Sequence, residues 1–78
     1  MDTLNELTRI IRETFMDLNC PIGRETTAAE VRGWTSLGHV HLICALEREL
    51  NLTLPSEQVF ALRNVGELAD LLTELQRT

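Results

Sequence analysis

Only two serines occur in the 78 residues, and one of them, Ser36, stands in the run Gly33-Trp34-Thr35-Ser36-Leu37. There a polar loop gives way to an amphipathic pattern that predicts a helix from 36 to about 50. A hydroxyl in the first turn of a helix sits beside backbone N–H groups that lack helical acceptors and beside the positive end of the helix dipole. Both favour an anionic group attached to that side chain. The same position also suits a plain helix cap. Other chemistry-bearing residues are less promising. His39 and His41 are two apart, nearly opposite one another on a helix, and cannot chelate one metal together. Ser36 and His39 are close enough in sequence to touch. A Ser–His nucleophile also needs an orienting third group and an oxyanion site, and the nearby carboxylates fall on the wrong face or turn. His39 is expected to pack and hydrogen-bond, and His41 to face outward. Cys20 and Cys44 lack CxxC spacing and a complementary histidine pair, so they read as reduced thiols. No metal site and no catalytic residue is expected.

Composition narrows the classes further. Residues 1–78 make one small domain, too short for a deep catalytic cleft of its own. Hydrophobic residues form 44% of the chain and charged residues 24%, a globular balance. The aromatics are Phe15, Trp34 and Phe60, so the core must be built from Leu, Ile and Val. Twelve acidic residues against seven basic ones, all arginine, give a net charge of −5. That argues against nucleic acid as a partner and for solubility or for partners with basic patches. The N-terminus does not read as a signal peptide, and no apolar run reaches membrane-spanning length. A soluble, cytoplasmic monomer without membrane insertion is expected.

The elements that must position Ser36 are helical throughout. Leu4, Leu7, Ile10, Ile11, Phe15 and Leu18 follow i, i+3, i+4 spacing, with Asp2 or Thr3 as cap, and Cys20-Pro21-Ile22-Gly23 stops this first helix. The polar connection 24–35 is long for so small a domain and is expected to carry function or its own short turn. After helix two, residues 51–55 break the pattern, and Pro55-Ser56-Glu57 start a short third helix through Ala61. Asn64-Val65-Gly66-Glu67 reads as a capping box, opening a last helix that uses Val65, Leu68, Leu71, Leu72 and Leu75. Period-two alternation is missing. The expected fold is an all-α, small four-helix bundle, three longer helices plus a short third one, with a long first loop.

Helix two presents two apolar stripes. At about 100° per residue, Leu42, Ile43, Leu46 and Leu50 occupy roughly a quarter of the circumference and form the core stripe. Leu37, Val40 and Cys44 fall on a second stripe, flanked by His41, Glu47 and Arg48. Either the first loop folds over that stripe, or it is an exposed docking surface beside Ser36.

The run Gly33-Trp34-Thr35-Ser36-Leu37-Gly38-His39-Val40, continuing through Leu42-Ile43-Cys44-Ala45-Leu46-Glu47-Arg48-Glu49-Leu50, resembles the modification site and second helix of acyl carrier proteins. The likeness extends through Leu52-Thr53-Leu54-Pro55-Ser56-Glu57 and again to Asn64-Val65-Gly66-Glu67-Leu68, so it covers most of the chain. The resemblance implies a 4'-phosphopantetheine arm joined to Ser36 through a phosphodiester, its terminal thiol holding an acyl or polyketide-type group as a thioester. It implies that Thr35 and Leu37 flank the attachment point. Leu37, with Val40, His41, Cys44, Glu47 and Arg48, would then meet a phosphopantetheinyl transferase and the enzymes that load and process the cargo. The protein would not itself be an enzyme. An aminoacyl or peptidyl cargo, or an unmodified docking protein of the same fold, are the alternatives.

Two departures from the family pattern stand out. Members most often carry aspartate before the serine, where this chain has Thr35, a residue still able to cap the helix. The acidic row along helix two of the fatty-acid-synthesis carriers is interrupted here by Gly38, His41 and Arg48, leaving Glu47 and Glu49. Weaker negative potential implies slower encounter with basic partners and a different partner set. A specialised stand-alone carrier is the expectation.

Overall fold

The computed structural model describes residues 3–77. Among them the order is α1 (Thr3–Thr14), a single 3-10 turn (Ala28–Glu30), α2 (Ser36–Leu50), α3 (Ser56–Phe60) and α4 (Val65–Gln76), with no strand. α1 packs on both α2 and α4. Leu7, Ile10 and Ile11 of α1, Leu42 and Leu46 of α2, Val59 of α3 and Val65, Leu68 and Leu72 of α4 make the fully buried centre. These are the helical-period positions of each segment, which bury one stripe and leave the other faces to charge.

α1 is shorter than its apolar spacing predicts. It closes at Thr14, and Leu18 stands 70% exposed instead of joining the core. The cause lies at Met16, which adopts a left-handed φ of 55°. Its N–H donates to the Glu13 carbonyl while that of Asp17 donates to Arg12, the double bond pattern that seals a helix C-terminus. Asp2, one of the two expected caps, lies outside the described residues. The exposed Arg9 guanidinium joins Glu6 and Glu13 within α1 at 2.9 and 3.0 Å and Glu49 of α2 at 3.3 Å. The hydrogen bonds it donates to Glu6 and then to Glu49 push its pKa further up, although exposed pairs of this kind add little stability.

The long first loop is tied down rather than loose. Thr26 is buried and its Oγ1 accepts the Gly23 N–H at 2.8 Å. The backbone carbonyls of Thr26 and Arg24 accept from Val65 and Gly66 at 2.8 Å each, anchoring the loop to the start of α4. Gly66 is needed for that approach: a Cβ there would lie 2.9 Å from the Arg24 carbonyl oxygen. Within the loop, the Glu30 carboxylate accepts the Thr27 N–H at 3.0 Å and fixes the 3-10 turn.

Both ends of α2 follow local rules. Thr35 caps its start, its hydroxyl accepting from Gly38 N–H, and Asn51 ends it in a left-handed conformation with φ 55°, which asparagine tolerates better than most residues. At α4 the Asn64 side chain accepts from Glu67 N–H at 2.9 Å, as the capping box requires. The return bond differs from the expected one. The Glu67 carboxylate accepts from Arg63 N–H at 2.8 Å, one residue further out than the cap itself.

Candidate functional site

Thr35 and Ser36 occupy the junction of the anchored loop with α2. Thr35 is the extended cap residue, and the first helical bond runs from His39 N–H to its carbonyl at 2.8 Å. Its hydroxyl takes up the Gly38 N–H, so the N–H groups of Ser36 and Leu37 are left without an acceptor among the described residues. Ser36 is exposed and its hydroxyl makes no hydrogen bond among the described residues. An uncommitted hydroxyl thus stands beside two uncommitted N–H donors at the positive end of a 15-residue helix, a setting that lowers the energy of an anion held there.

The floor of this junction is aromatic. Trp34 stacks on Phe15 with centroids 5.7 Å apart and on His39 at 6.1 Å. The Trp34 indole N–H donates to His39 Nδ1 at 2.9 Å. Nδ1 is the accepting ring nitrogen in this pairing. His39 is therefore a packed, half-buried strut, the role its place near the core stripe predicts. Its partner was not legible in the sequence, because two residues five apart meet only when the loop turns back on the helix. Gly38 completes the junction. A Cβ at this position would collide with the Gly33 carbonyl oxygen and lie 2.9 Å from Phe15 Cε1. The absence of an acid here is therefore a packing requirement, with the loop backbone pressed against the helix.

Beside Ser36 a cavity of about 280 Å³ opens, walled by Trp34, His39, Val59, Leu62 and Leu68, with Thr35, Arg63 and Asn64 at polar positions. Arg63 was not among the sequence-predicted site residues. It is 27 positions from Ser36, and only the packing of the α3–α4 connection against α2 brings it there.

The second stripe of α2 is not covered by the first loop. Leu37 is 66% exposed, Val40 45%, and Cys44, His41 and Arg48 are also exposed. Glu47 differs from the free acid its position suggests: it is half-buried, and its Oε2 accepts the Leu54 N–H at 2.8 Å, fixing the segment before α3. Glu49 turns to Arg9 on the α1 side. Cys20 is buried and distant in sequence from this surface, and its carbonyl accepts from Arg12 Nε at 2.9 Å.

An exposed anchor hydroxyl, a helix N-terminus, an uncovered apolar face and a neighbouring cavity are what a protein needs to hold a tethered group and present it to others. Comparison with known proteins agrees. Residues 5–72 match the family described as phosphopantetheine attachment site. An acyl carrier protein of Clostridium perfringens is 33% identical over 70 residues, covering 90% of this chain and 92% of that protein, and those of two further strains match equally well. The solution NMR structure of a holo acyl carrier protein from Geobacter metallireducens superposes with a TM-score of 0.90 at 38% identity, covering 99% of this chain and 88% of that one. The chain belongs to the acyl carrier protein family, whose members carry a covalently attached 4'-phosphopantetheine. The residues present fit that group. The exposed Ser36 hydroxyl is free to be esterified, the adjacent N–H donors suit a phosphodiester, and no carboxylate stands beside it in sequence, since the neighbours are Thr35 and Leu37.

Among the described residues no helix is long and apolar enough to cross a membrane.

Proposed function

We propose that Ser36 is the residue through which 4'-phosphopantetheine is attached, and that the chain presents acyl or polyketide-type intermediates to partner enzymes without catalysing their chemistry itself. When bound, the group supplies a terminal thiol for thioester formation. What this chain contributes is the anchor. Thr35 caps α2 and keeps the first turn formed, the Ser36 and Leu37 N–H groups face the phosphodiester charge, and the stacked Phe15, Trp34 and His39 hold the loop so that the hydroxyl points outward. Leu37, Val40 and Cys44, with His41 and Arg48 beside them, form the face that meets a phosphopantetheinyl transferase and later the loading and processing enzymes. Glu47 contributes from the edge, with one of its carboxylate oxygens already committed to Leu54. The carrying observation is the exposed, uncommitted Ser36 hydroxyl at the start of α2.

Intact-protein mass spectrometry after incubation with coenzyme A and a broad-specificity transferase tests this reading. A gain of one phosphopantetheine that disappears in Ser36→Ala supports it. A gain that persists in Ser36→Ala moves the attachment point elsewhere, and no gain on folded protein with several transferases removes the carrier role.

A further inference from the structure

The cavity beside Ser36 has one wall unlike the rest. Trp34 and His39 line it, their ring planes differ by 15°, and the indole N–H bond to His39 Nδ1 locks them together. The two rings make one nearly flat aromatic unit. Phe15 lies against Trp34 at 24° and takes no part in the lining, so it backs the indole. The remaining apolar lining, Val59, Leu62 and Leu68, is aliphatic and comes from α3, α4 and the connection between them.

This wall is hard to displace. The Gly33 carbonyl is pressed against Gly38, where no Cβ would fit, and the Trp34 backbone N–H donates to the Val31 carbonyl at 3.1 Å. The cavity is also short. Val59 and Leu68 belong to the packed core, whose members Leu7, Ile11, Leu42, Leu46 and Leu72 have no exposure at all and leave no room for a chain to run on between the helices. The volume is about 280 Å³. An apolar cavity of about 150 Å³ holds one benzene ring, so this one has room for roughly eleven non-hydrogen atoms.

We propose that the Trp34–His39 wall selects the cargo: the cavity takes a short aromatic acyl group laid against it and leaves longer saturated chains in solvent. This rests on the carrier reading and adds to it a cargo class, with Trp34 as the residue that sets it. A planar ring gains stacking on the indole and has no chain torsions to lose on entry. A flexible chain of the same size loses its rotor freedom when confined. Ser36 itself lines the cavity, so a group tethered there is held near the opening at high effective concentration.

The test uses the full chain loaded at Ser36 from benzoyl-, octanoyl- and dodecanoyl-coenzyme A by a broad-specificity phosphopantetheinyl transferase. Cleavage of each thioester by hydroxylamine is followed by mass spectrometry and divided into the rate for the same acyl-coenzyme A, which removes intrinsic reactivity. Benzoyl and octanoyl are close in size, so their comparison reads shape; dodecanoyl exceeds the cavity and reads length. Benzoyl should be shielded about fivefold more than octanoyl, and dodecanoyl least of the three. Trp34 is the sole tryptophan, and its fluorescence should change on benzoyl loading and not on dodecanoyl loading. Trp34→Ala should level benzoyl with octanoyl. If that variant loses helicity, Leu62→Phe carries the test instead, since it fills the cavity from the aliphatic side and should abolish the shielding of benzoyl. Octanoyl or dodecanoyl shielded as well as benzoyl, or a preference for benzoyl that survives either substitution, overturns the proposal. Absence of any modification at Ser36 would instead remove the carrier reading, and this proposal with it.

Discussion

Gly38→Ala is expected to destabilise the protein although alanine is the better helix former. Inside a helix the exchange gains up to about 1 kcal/mol. Here the new methyl group would collide with the Gly33 carbonyl oxygen and stand 2.9 Å from Phe15 Cε1 and 3.1 Å from the Gly33 carbonyl carbon. Overpacking against a fixed neighbour costs about 1–3 kcal/mol. Gly33 cannot retreat alone, because its φ of 90° sets the turn into Trp34, which stacks on Phe15 and donates to His39. Loss of that indole bond would add about 1 kcal/mol. The net expectation is a loss of about 1–2 kcal/mol, read as a lower urea midpoint at unchanged slope and a melting temperature lower by about 4–8 °C per kcal/mol for a domain of this size. Gly23→Ala is the control. No atom lies within 4 Å of a Cβ there, so it should be neutral or stabilising by up to about 1 kcal/mol. A Gly38→Ala protein as stable as the wild type, with Gly23→Ala behaving as expected, would show that the Gly33 carbonyl yields freely. The junction would then not depend on a bare α-carbon.

Ser36→Ala should leave the unfolding free energy from urea titration within about 0.5 kcal/mol of the wild type, since the exposed hydroxyl supports nothing in the fold; a larger loss would mean that the serine is structural. Trp34→Phe keeps the ring stack but deletes the donor to His39, and should cost about 1 kcal/mol in the same assay. Thr35→Ala removes the cap on Gly38 N–H and should also cost about 1 kcal/mol, whereas Thr35→Asp should at least preserve stability; equal stabilities for the two would exclude capping. Met16→Gly relieves a left-handed backbone at a side chain that is 89% exposed and should raise stability by about 1 kcal/mol. Leu46→Ala, at a fully buried position, should cost about 2–5 kcal/mol.

What the sequence determined by itself is whatever three or four neighbouring residues decide. Thr35 and Asn64 announce helix starts because their oxygens reach an N–H three residues on, and the core stripe of α2 follows from a period of 3.6. Ser36 could be singled out for the same reason: its position in the first turn is a local fact. The closing of α1 was less legible, because Met16 is an unusual residue for a left-handed turn and apolar spacing continued past it to Leu18. The tertiary structure alone decided the rest. Whether the first loop would cover Leu37, Val40 and Cys44 depended on where it found anchors, and these were the N–H groups of Val65 and Gly66, about forty residues away. Glu47 and Glu49 are both acids near the end of the same helix, yet the fold ties one to Leu54 N–H and pairs the other with Arg9, while Arg48 between them takes part in no ion pair among the described residues. The need for glycine at position 38, the Trp34–His39 bond and the arrival of Arg63 beside Ser36 are likewise set by the chain's return on itself. Side-chain type fixes what a group can bond, but which partner comes within 3 Å is fixed by packing.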